Sequence, residues 1–338
     1  MKKETRKELC AIILLAALLI SFAALGSALL IPKRQNYGST WGRYLKEEEN
    51  SIDVLFFGSS ISYCDVVPSV IWEEAGVTSY VMAGPEQTLP ITYYYVRETL
   101  KTQSPKAIFI EVTGAFFKQY QDFTKVNIGY MPWGMNRLAA SFTAAEKQER
   151  AGLLFPLYNY HSRWDTLTRE DFAVALKGYS ADALAGYTFL NTATEMTGLK
   201  PRDEDFDAEN YEKNIVYLEK IAALCEEKGI QPVFYIAPTY WRLTDEHLAM
   251  LTADIESMAN VRFIDFNAGD GLSDYDPKQD FFDLLHFNCY GAEKFSVRLA
   301  QLLTTELGLS PTENADAALW DARSESFRAL CAEQPGDG

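Results

Sequence analysis

The feature that most constrains the fold is a short apolar run that ends in glycine and serine. Residues 54–57 read Val-Leu-Phe-Phe, and Gly58, Ser59 and Ser60 follow directly. A continuous run of β-favouring residues is typical of a strand that is buried on both faces. Residues 68–75 then predict a short helix, with a proline in its first turn and Gly76 after its end. This order predicts a hydroxyl at the carboxyl end of a parallel strand, where open α/β sheets bind ligands.

Similar short apolar runs recur along the chain and alternate with helical patterns. Further strands are predicted at residues 78–82, 107–112, 233–236 and 261–264. Helices are predicted at about residues 90–101, 209–228 and 292–307, the last two being followed by Gly229 and Gly308. Strands that alternate with helices in this way indicate a parallel sheet covered by helices on both faces. The sequence therefore predicts an α/β domain with a five-stranded parallel sheet over residues 51–308.

A second chemical signal lies far along the chain, at residues 280–291. Asp283 and His286 stand there with two residues between them. A serine nucleophile needs a base to take its proton, and that base needs a carboxylate to orient it. Ser60, Asp283 and His286 supply these three groups, although serines after strands are also common as helix caps or turn residues.

The two stretches together resemble the SGNH (GDSL-type) hydrolases. Gly58-Ser59-Ser60 is similar to the Gly-Asp-Ser block of that family, and Asp283-Leu-Leu-His286 is similar to its closing Asp-x-x-His block. The resemblance implies that Ser60 is the nucleophile, with His286 as the base and Asp283 as its orienting acid. It also implies a flavodoxin-like three-layer α/β/α sandwich. The nearest likeness is to the membrane-anchored branch that modifies cell-surface polymers, such as the alginate and teichoic-acid proteins.

The same resemblance implies donors for an oxyanion hole. The backbone N–H of Ser60 and that of Gly84, after the second strand, match the family's first two blocks. Gln87 is a candidate for an additional side-chain donor. The family's Gly-x-Asn-Asp block is missing after the third strand, where the chain reads Glu111-Val-Thr-Gly114, and Thr113 is the nearest polar substitute for the asparagine.

The N-terminus predicts a membrane anchor. Lys2, Lys3, Arg6 and Lys7 lie within residues 1–8, and an uncharged, mainly Leu/Ala/Ile run follows to residue 31. A span of about 20 apolar residues crosses a bilayer as a helix, whereas secretory signals have shorter apolar regions. We therefore expect an uncleaved anchor at residues 9–31, although cleavage near Gly26-Ser27-Ala28 remains an alternative. The basic N-terminus favours a cytoplasmic start, which would put the following domain outside the cytoplasm.

Three segments outside the predicted α/β core have weaker patterns. Residues 32–50 are expected to connect the anchor to the domain, and residues 309–338 to form a peripheral tail with one short helix at about 319–330. A long insert is predicted at about residues 113–206, and such long connections are usually functional. Its His161, Arg163 and Trp164 are candidates for binding a sugar or carboxylate, with insert packing as the alternative. The acidic run at residues 203–207 predicts a solvated turn, because it lacks the spacing of a calcium loop.

Charge and cysteine content exclude several classes of protein. The formal net charge of −16 argues against binding to nucleic acid and against general binding to anionic surfaces. The five cysteines are scattered, with no Cys-x-x-Cys pair and no zinc-ligand spacing, so we expect neither a metal nor a cofactor. Cys64 and Cys289 follow Ser60 and His286 closely, which leaves a disulfide between them as a minor alternative to free thiols.

The leading hypothesis from sequence is thus an extracytoplasmic, membrane-anchored serine esterase or O-acyltransferase. The resemblance implies a cell-surface glycan or polymer as substrate, and an integral-membrane acyltransferase as a candidate partner. No residue decides between water and a sugar hydroxyl as the acyl acceptor. Two alternatives remain: a glycan-binding or scaffolding module that has lost catalysis, and a lipid esterase with an apolar channel in the insert.

Overall fold

The centre of the fold is a five-stranded parallel sheet. The computed structural model describes residues 3–33, 41–202 and 206–333. Its strands are β1 (Val54–Gly58), β2 (Ser79–Ala83), β3 (Ala107–Glu111), β4 (Lys200–Arg202), β5 (Gln231–Ile236), β6 (Trp241–Leu243) and β7 (Arg262–Asp265). The main sheet has the order β2-β1-β3-β5-β7 with all neighbours parallel, and β4 and β6 form a separate parallel pair. The predicted α/β class and five-stranded parallel sheet are confirmed.

Helices make up most of the remaining structure. They are α1 (Lys3–Leu30), α2 (Trp41–Tyr44), α3 (Ser60–Asp65), α4 (Pro68–Ala75), α5 (Leu89–Thr99), α6 (Thr124–Gly129), α7 (Met135–Thr143), α8 (Arg150–Leu154), α9 (Pro156–Tyr160), α10 (Arg169–Lys177), α11 (Ala208–Lys228), α12 (Asp245–Glu256), α13 (Cys289–Thr305) and α14 (Ala317–Ala332). Two short 3₁₀ turns cover Thr113–Phe116 and His161–Asp165. The predicted helix and strand ends agree to within about three residues, the usual uncertainty of such boundaries.

The central strand β1 is buried on both of its faces. Leu55 and Phe57 belong to one hydrophobic cluster, which also contains residues of α5 and α11. Val54 and Phe56 belong to a second cluster, which also contains residues of α4 and α13. Successive side chains of a strand point to opposite faces, so the wholly apolar sequence of β1 supplies both clusters.

The carboxyl ends of the strands gather at one edge of the sheet. Val54 of β1 pairs with Ser79 of β2 and Ala107 of β3, so these three strands end at nearly the same height. Gly58, Ala83 and Glu111 are their last residues. The segments that follow these strands therefore start close together.

The described part of the C-terminal segment, residues 309–333, is not peripheral, contrary to the prediction of a peripheral tail over residues 309–338. In α14, Trp320 and Phe327 are buried, and the Trp320 ring stacks on Trp72 of α4 at a centroid distance of 5.9 Å. Arg323 is buried as well and forms an ion pair of 2.5 Å with Glu47. The polar composition of residues 309–338 did not predict this packing, because only a narrow face of α14 is buried.

The predicted connector also contributes to the core, in the part that the structure describes. Trp41 and Tyr44 of α2 are buried and pack edge to face at 5.6 Å. Residues 34–40 lie outside the described residues. So do Asp203, Glu204 and Asp205 of the predicted acidic turn, while Asp207 caps the start of α11 by accepting a hydrogen bond from Asn210.

Helix α1 is long and apolar enough to cross a membrane. The candidate span is Thr5–Leu30, with a mean hydropathy of 2.7, and its side chains are largely exposed. A signal sequence at an N-terminus would meet the same criteria. The last turns of α1 contact α9 and α10. A Cβ added at Gly26 would lie 3.3 Å from Cδ2 of Leu157.

We refer to residues 112–207, which include α6–α10, as the β3–α11 connection.

Candidate active site

The turn after β1 places Ser60 at the sheet edge. Gly58 has φ +151°, and a Cβ there would lie 2.3 Å from Ser62 Oγ and 2.8 Å from Glu111 Cβ, so only glycine fits. Ser62 Oγ fixes the turn by donating to the carbonyl of Phe57 at 3.1 Å. The chain is extended at Ser59, and Ser60 is the first residue of α3. The amide N–H at such a position has no acceptor within its own helix.

A chain of hydrogen bonds joins Ser60, His286 and Asp283. Ser60 Oγ is 2.8 Å from Nε2 of His286, and Nδ1 of the same ring is 2.9 Å from Asp283 Oδ1. An ionised carboxylate only accepts hydrogen bonds, so Nδ1 carries the proton and Nε2 of the neutral ring accepts from the hydroxyl. Ser59 is 3% exposed, whereas Ser60 is partly open to solvent. Of the two adjacent serines, Ser60 is therefore the one hydrogen-bonded to a base.

The loop that carries His286 is organised by Asp283. Its Oδ1 accepts hydrogen bonds from the backbone N–H groups of Leu285 at 2.8 Å and His286 at 2.9 Å. Partial burial acts to raise the pKa of Asp283, but the hydrogen bond and charge of His286 and these two N–H groups outweigh it. The pKa of Asp283 consequently lies below its usual value. This carboxylate remains ionised at neutral pH and can stabilise an imidazolium.

Asp65, which was not predicted from the sequence, connects the serine helix to the histidine loop. It is the last residue of α3, fully buried, and its Oδ1 accepts from the N–H of Phe287 at 2.9 Å. Burial raises the pKa of Asp65 well above its usual value, although the Phe287 hydrogen bond acts in the opposite direction. An acid within the otherwise apolar run Cys64-Asp65-Val66-Val67 was the available signal.

Gly84 lies directly after β2, in contact with the side-chain amide of Asn127, which was not predicted from the sequence. A Cβ added at Gly84 would lie 2.0 Å from Asn127 Oδ1 and 3.4 Å from Gln87 Oε1. Asn127 belongs to α6, is 2% exposed, and donates from Nδ2 to the carbonyl of Pro85 at 2.9 Å. Gln87 Nε2 donates to Thr92 Oγ1 at 3.0 Å. Within the part of the chain that is described, no hydrogen bond uses the second Nδ2 hydrogen of Asn127.

Thr113 is directed towards Glu111. Its N–H lies 3.1 Å from Glu111 Oε1, and its Oγ1 lies 2.9 Å from Glu111 Oε2. Burial raises the pKa of Glu111 to about 7, and the hydrogen bonds of Thr113 and the charge of Arg202 act in the opposite direction. Both hydrogen-bond donors of Thr113 are thus engaged when Glu111 is ionised. Asn127 is therefore a better candidate than Thr113 for a polar donor beside Gly84.

His161, Arg163 and Trp164 lie beside the end of α1. His161 Nδ1 contacts the carbonyl of Tyr158, and Arg163 is bonded to the carbonyl of Leu30 at 2.6 Å. Arg163 also pairs with Asp171 at 3.4 Å, while Trp164 is 72% exposed. These contacts tie the group to α1 and α10 rather than to the Ser60–His286–Asp283 chain.

Neither a disulfide nor a metal site is present in the described structure. All five cysteines lie in the described part of the chain and are free, so the alternative pairing of Cys64 with Cys289 is not formed. The described residues contain no cluster of three His, Cys, Asp or Glu side chains suited to a metal ion.

No protein-family model matches the chain, and no curated protein matches it.

Proposed function

We propose that the protein is an SGNH-like serine enzyme that hydrolyses or transfers an acyl ester. The observation that carries the proposal is the 2.8 Å hydrogen bond between Ser60 Oγ and His286 Nε2, with Asp283 on the opposite ring nitrogen. Nucleophile, base and orienting acid within hydrogen-bond reach are the signature of an activated serine. The order of the five parallel strands is compatible with a flavodoxin-like, three-layer sandwich for this domain.

The proposed reaction begins with attack of Ser60 Oγ on the ester carbonyl carbon. The hydroxyl proton passes to His286 Nε2, and the carbonyl oxygen becomes an oxyanion. Collapse of this intermediate breaks the ester C–O bond, and His286 returns the proton to the departing alcohol. Water or a second hydroxyl then attacks the carbonyl carbon of acyl-Ser60, with His286 again taking the proton. Collapse of this second intermediate breaks the bond to Ser60 Oγ, and His286 returns the proton to that oxygen. Asp283 holds the ring and stabilises its positive charge in both steps.

Three donors are proposed for the oxyanion. The backbone N–H groups of Ser60 and Gly84 follow the ends of β1 and β2, which are adjacent strands. The contact of Asn127 with Gly84 supports this side chain as the third donor, in place of the family's absent asparagine block. Thr113 would support Glu111, because both of its donors already have partners there, and Gln87, whose Nε2 donates one hydrogen bond to Thr92, is kept as a candidate for an additional donor. Each such donor contributes about 10²–10³ in rate.

The proposed setting is the outer surface of a cell membrane, with α1 as a single-pass anchor. Its basic N-terminal residues favour a cytoplasmic start, and the resemblance implies an acyl ester of a cell-surface glycan or polymer as substrate. An integral-membrane acyltransferase is the proposed partner if the acceptor is a sugar hydroxyl rather than water.

The deciding experiment is labelling of the full-length protein in mild detergent with a fluorophosphonate probe, which reacts with activated serines. We expect the parent to be labelled, and Ser60→Ala and His286→Ala to remain unlabelled. Ser59→Ala is the matched control and should keep labelling if it folds, because Ser59 is not bonded to His286. An unlabelled parent that is folded by circular dichroism would contradict the enzyme and favour the non-catalytic glycan-binding module.

A further inference from the structure

A large apolar groove lies between α1 and the β3–α11 connection, away from the serine site. Its volume is about 800 Å³. On one side it is lined by Ile20, Ala24 and Ala28 of α1, and on the other by Met131, Leu154 and Leu157. The groove is open, so it exposes apolar surface that a protein in water would normally cover.

The position of the groove along α1 sets its depth relative to a membrane. The lining residues extend from Ile20 in α1 to Ile31, just after its end, and the first charged residue after them is Lys33. At about 1.5 Å per residue, this stretch is about 16 Å long. That is roughly half of the ~30 Å hydrocarbon thickness of a bilayer. If α1 spans the membrane, elements packed against this stretch reach the depth of the outer leaflet.

Exposed apolar side chains of the β3–α11 connection fit that depth. Trp133 (61%) and Phe155 (70%) line the groove, and four further apolar side chains elsewhere on the connection are mostly exposed: Met135 (74%), Tyr158 (68%), Trp164 (72%) and Leu176 (84%). Tryptophan and tyrosine are enriched at membrane–water interfaces, where one end of the ring is apolar and the other is hydrated.

Positive charges occupy the end of the groove where the headgroups would lie. Lys33 lines the groove three residues after the end of α1, and Arg163 bonds to the carbonyl of Leu30. Asp171 pairs with Arg163, so the cluster is not purely cationic. Arg137 also lines the groove, but it is buried and its guanidinium donates to the carbonyls of Met131 and Leu153, so it supports the connection rather than binding a phosphate. In a chain of net charge −16, Lys33 and Arg163 beside an apolar groove suit the phosphates of a lipid surface.

We infer that the β3–α11 connection is a second membrane contact, whose groove takes lipid acyl chains of the outer leaflet. This inference rests on the proposed membrane setting of the enzyme. Helix α6 links the groove to the serine site, because Asn127 contacts Gly84 and Gly129 lines the groove. A membrane-seated connection therefore holds Ser60 at a fixed height above the bilayer, where it meets acyl esters close to the lipid surface.

Tryptophan quenching tests the inference on the full-length protein. We would reconstitute it in nanodiscs of phosphatidylcholine and phosphatidylglycerol, with and without phosphatidylcholine brominated on the upper part of one acyl chain. Brominated lipid should lower the fluorescence of the parent, and Trp133→Phe and Trp164→Phe should each reduce the quenched fraction. Trp241→Phe is the matched control and should not, because the Trp241 indole donates to Pro201 in the β4–β6 pair. Iodide quenching of Trp133 and Trp164 without quenching by brominated lipid would overturn the inference.

Photo-crosslinking in native membranes distinguishes lipid from a protein that covers the groove. A benzophenone amino acid at position 155, which is exposed and lines the groove, should give lipid adducts, whereas position 199, which is exposed outside the groove, should not. A discrete protein adduct at position 155 would refute the lipid and indicate a membrane-protein partner. Fluorophosphonate labelling of the same nanodiscs separates the two proposals: labelling without lipid contact refutes only the lipid inference. Lipid contact without labelling refutes only the enzyme.

Discussion

Replacing Glu111 by glutamine should make the protein more stable at alkaline pH and little different at acidic pH. Glu111 is 1% exposed beneath Gly58, and burial raises its pKa from 4.5 to about 7. The raised pKa means that the native state holds a proton that the unfolded state releases. The stability associated with this proton is fully present below about pH 4.5 and is lost as pH rises through about 7.

The size of the effect follows from the pKa shift. A shift from 4.5 to about 7 corresponds to about 3 kcal/mol at 1.36 kcal/mol per unit. Glutamine resembles the protonated acid, can still accept from the N–H of Thr113, and can donate to its hydroxyl. It cannot ionise, so Glu111→Gln should remove most of this loss above about pH 8.

Urea unfolding of the full-length protein in mild detergent, followed by tryptophan fluorescence, measures this effect. The free energies of unfolding of parent and variant should differ little near pH 5 and diverge by up to about 3 kcal/mol near pH 8.5. Glu219→Gln, at an exposed position of α11, is the matched control and should show no such divergence. A pH-independent difference for Glu111→Gln, or a variant that is less stable at high pH, would refute the burial argument.

Two further predictions concern the oxyanion donors and α14. Gly84→Ala should lower kcat on an acyl ester by about 10²–10³, because the new Cβ would displace the Asn127 amide. Gly114→Ala is the control and should change kcat little, because its Cβ would meet nothing closer than 3.7 Å. If the two variants lowered kcat equally, Asn127 would not be an oxyanion donor. Arg323→Leu should cost about 3–5 kcal/mol of unfolding free energy in urea, because it leaves the buried Glu47 unpaired. Arg328→Leu on the same helix should cost about 1 kcal/mol or less, since its pairs with Glu73 and Glu293 are more exposed, and similar costs for both would contradict this account.

Much of the architecture was readable from local sequence. The run at 54–57 predicted β1 because no other short element buries side chains on both faces, and four similar runs predicted the remaining strands of the main sheet. The positions of Ser60, Asp283 and His286 were also chosen from local motifs. Their hydrogen bonds, however, span 226 residues between Ser60 and His286, and no local pattern encodes such a separation.

The tertiary structure alone decided which polar groups surround the serine. Asn127 is separated from Gly84 by α5 and β3 in the chain, and its amide meets Gly84 and Pro85 only because the tertiary fold brings α6 against the loop after β2. Asp65 and Glu111 each stand in a short apolar run, but their raised pKa values arise from burial by distant segments. Helix α14 was underestimated because its composition is polar, while its few buried residues pack on α4. The sequence by itself determined the periodic elements and the chemical types at their ends, since these depend on near neighbours. Burial and pairing depend on residues far apart in the chain, so only the folded arrangement decided them.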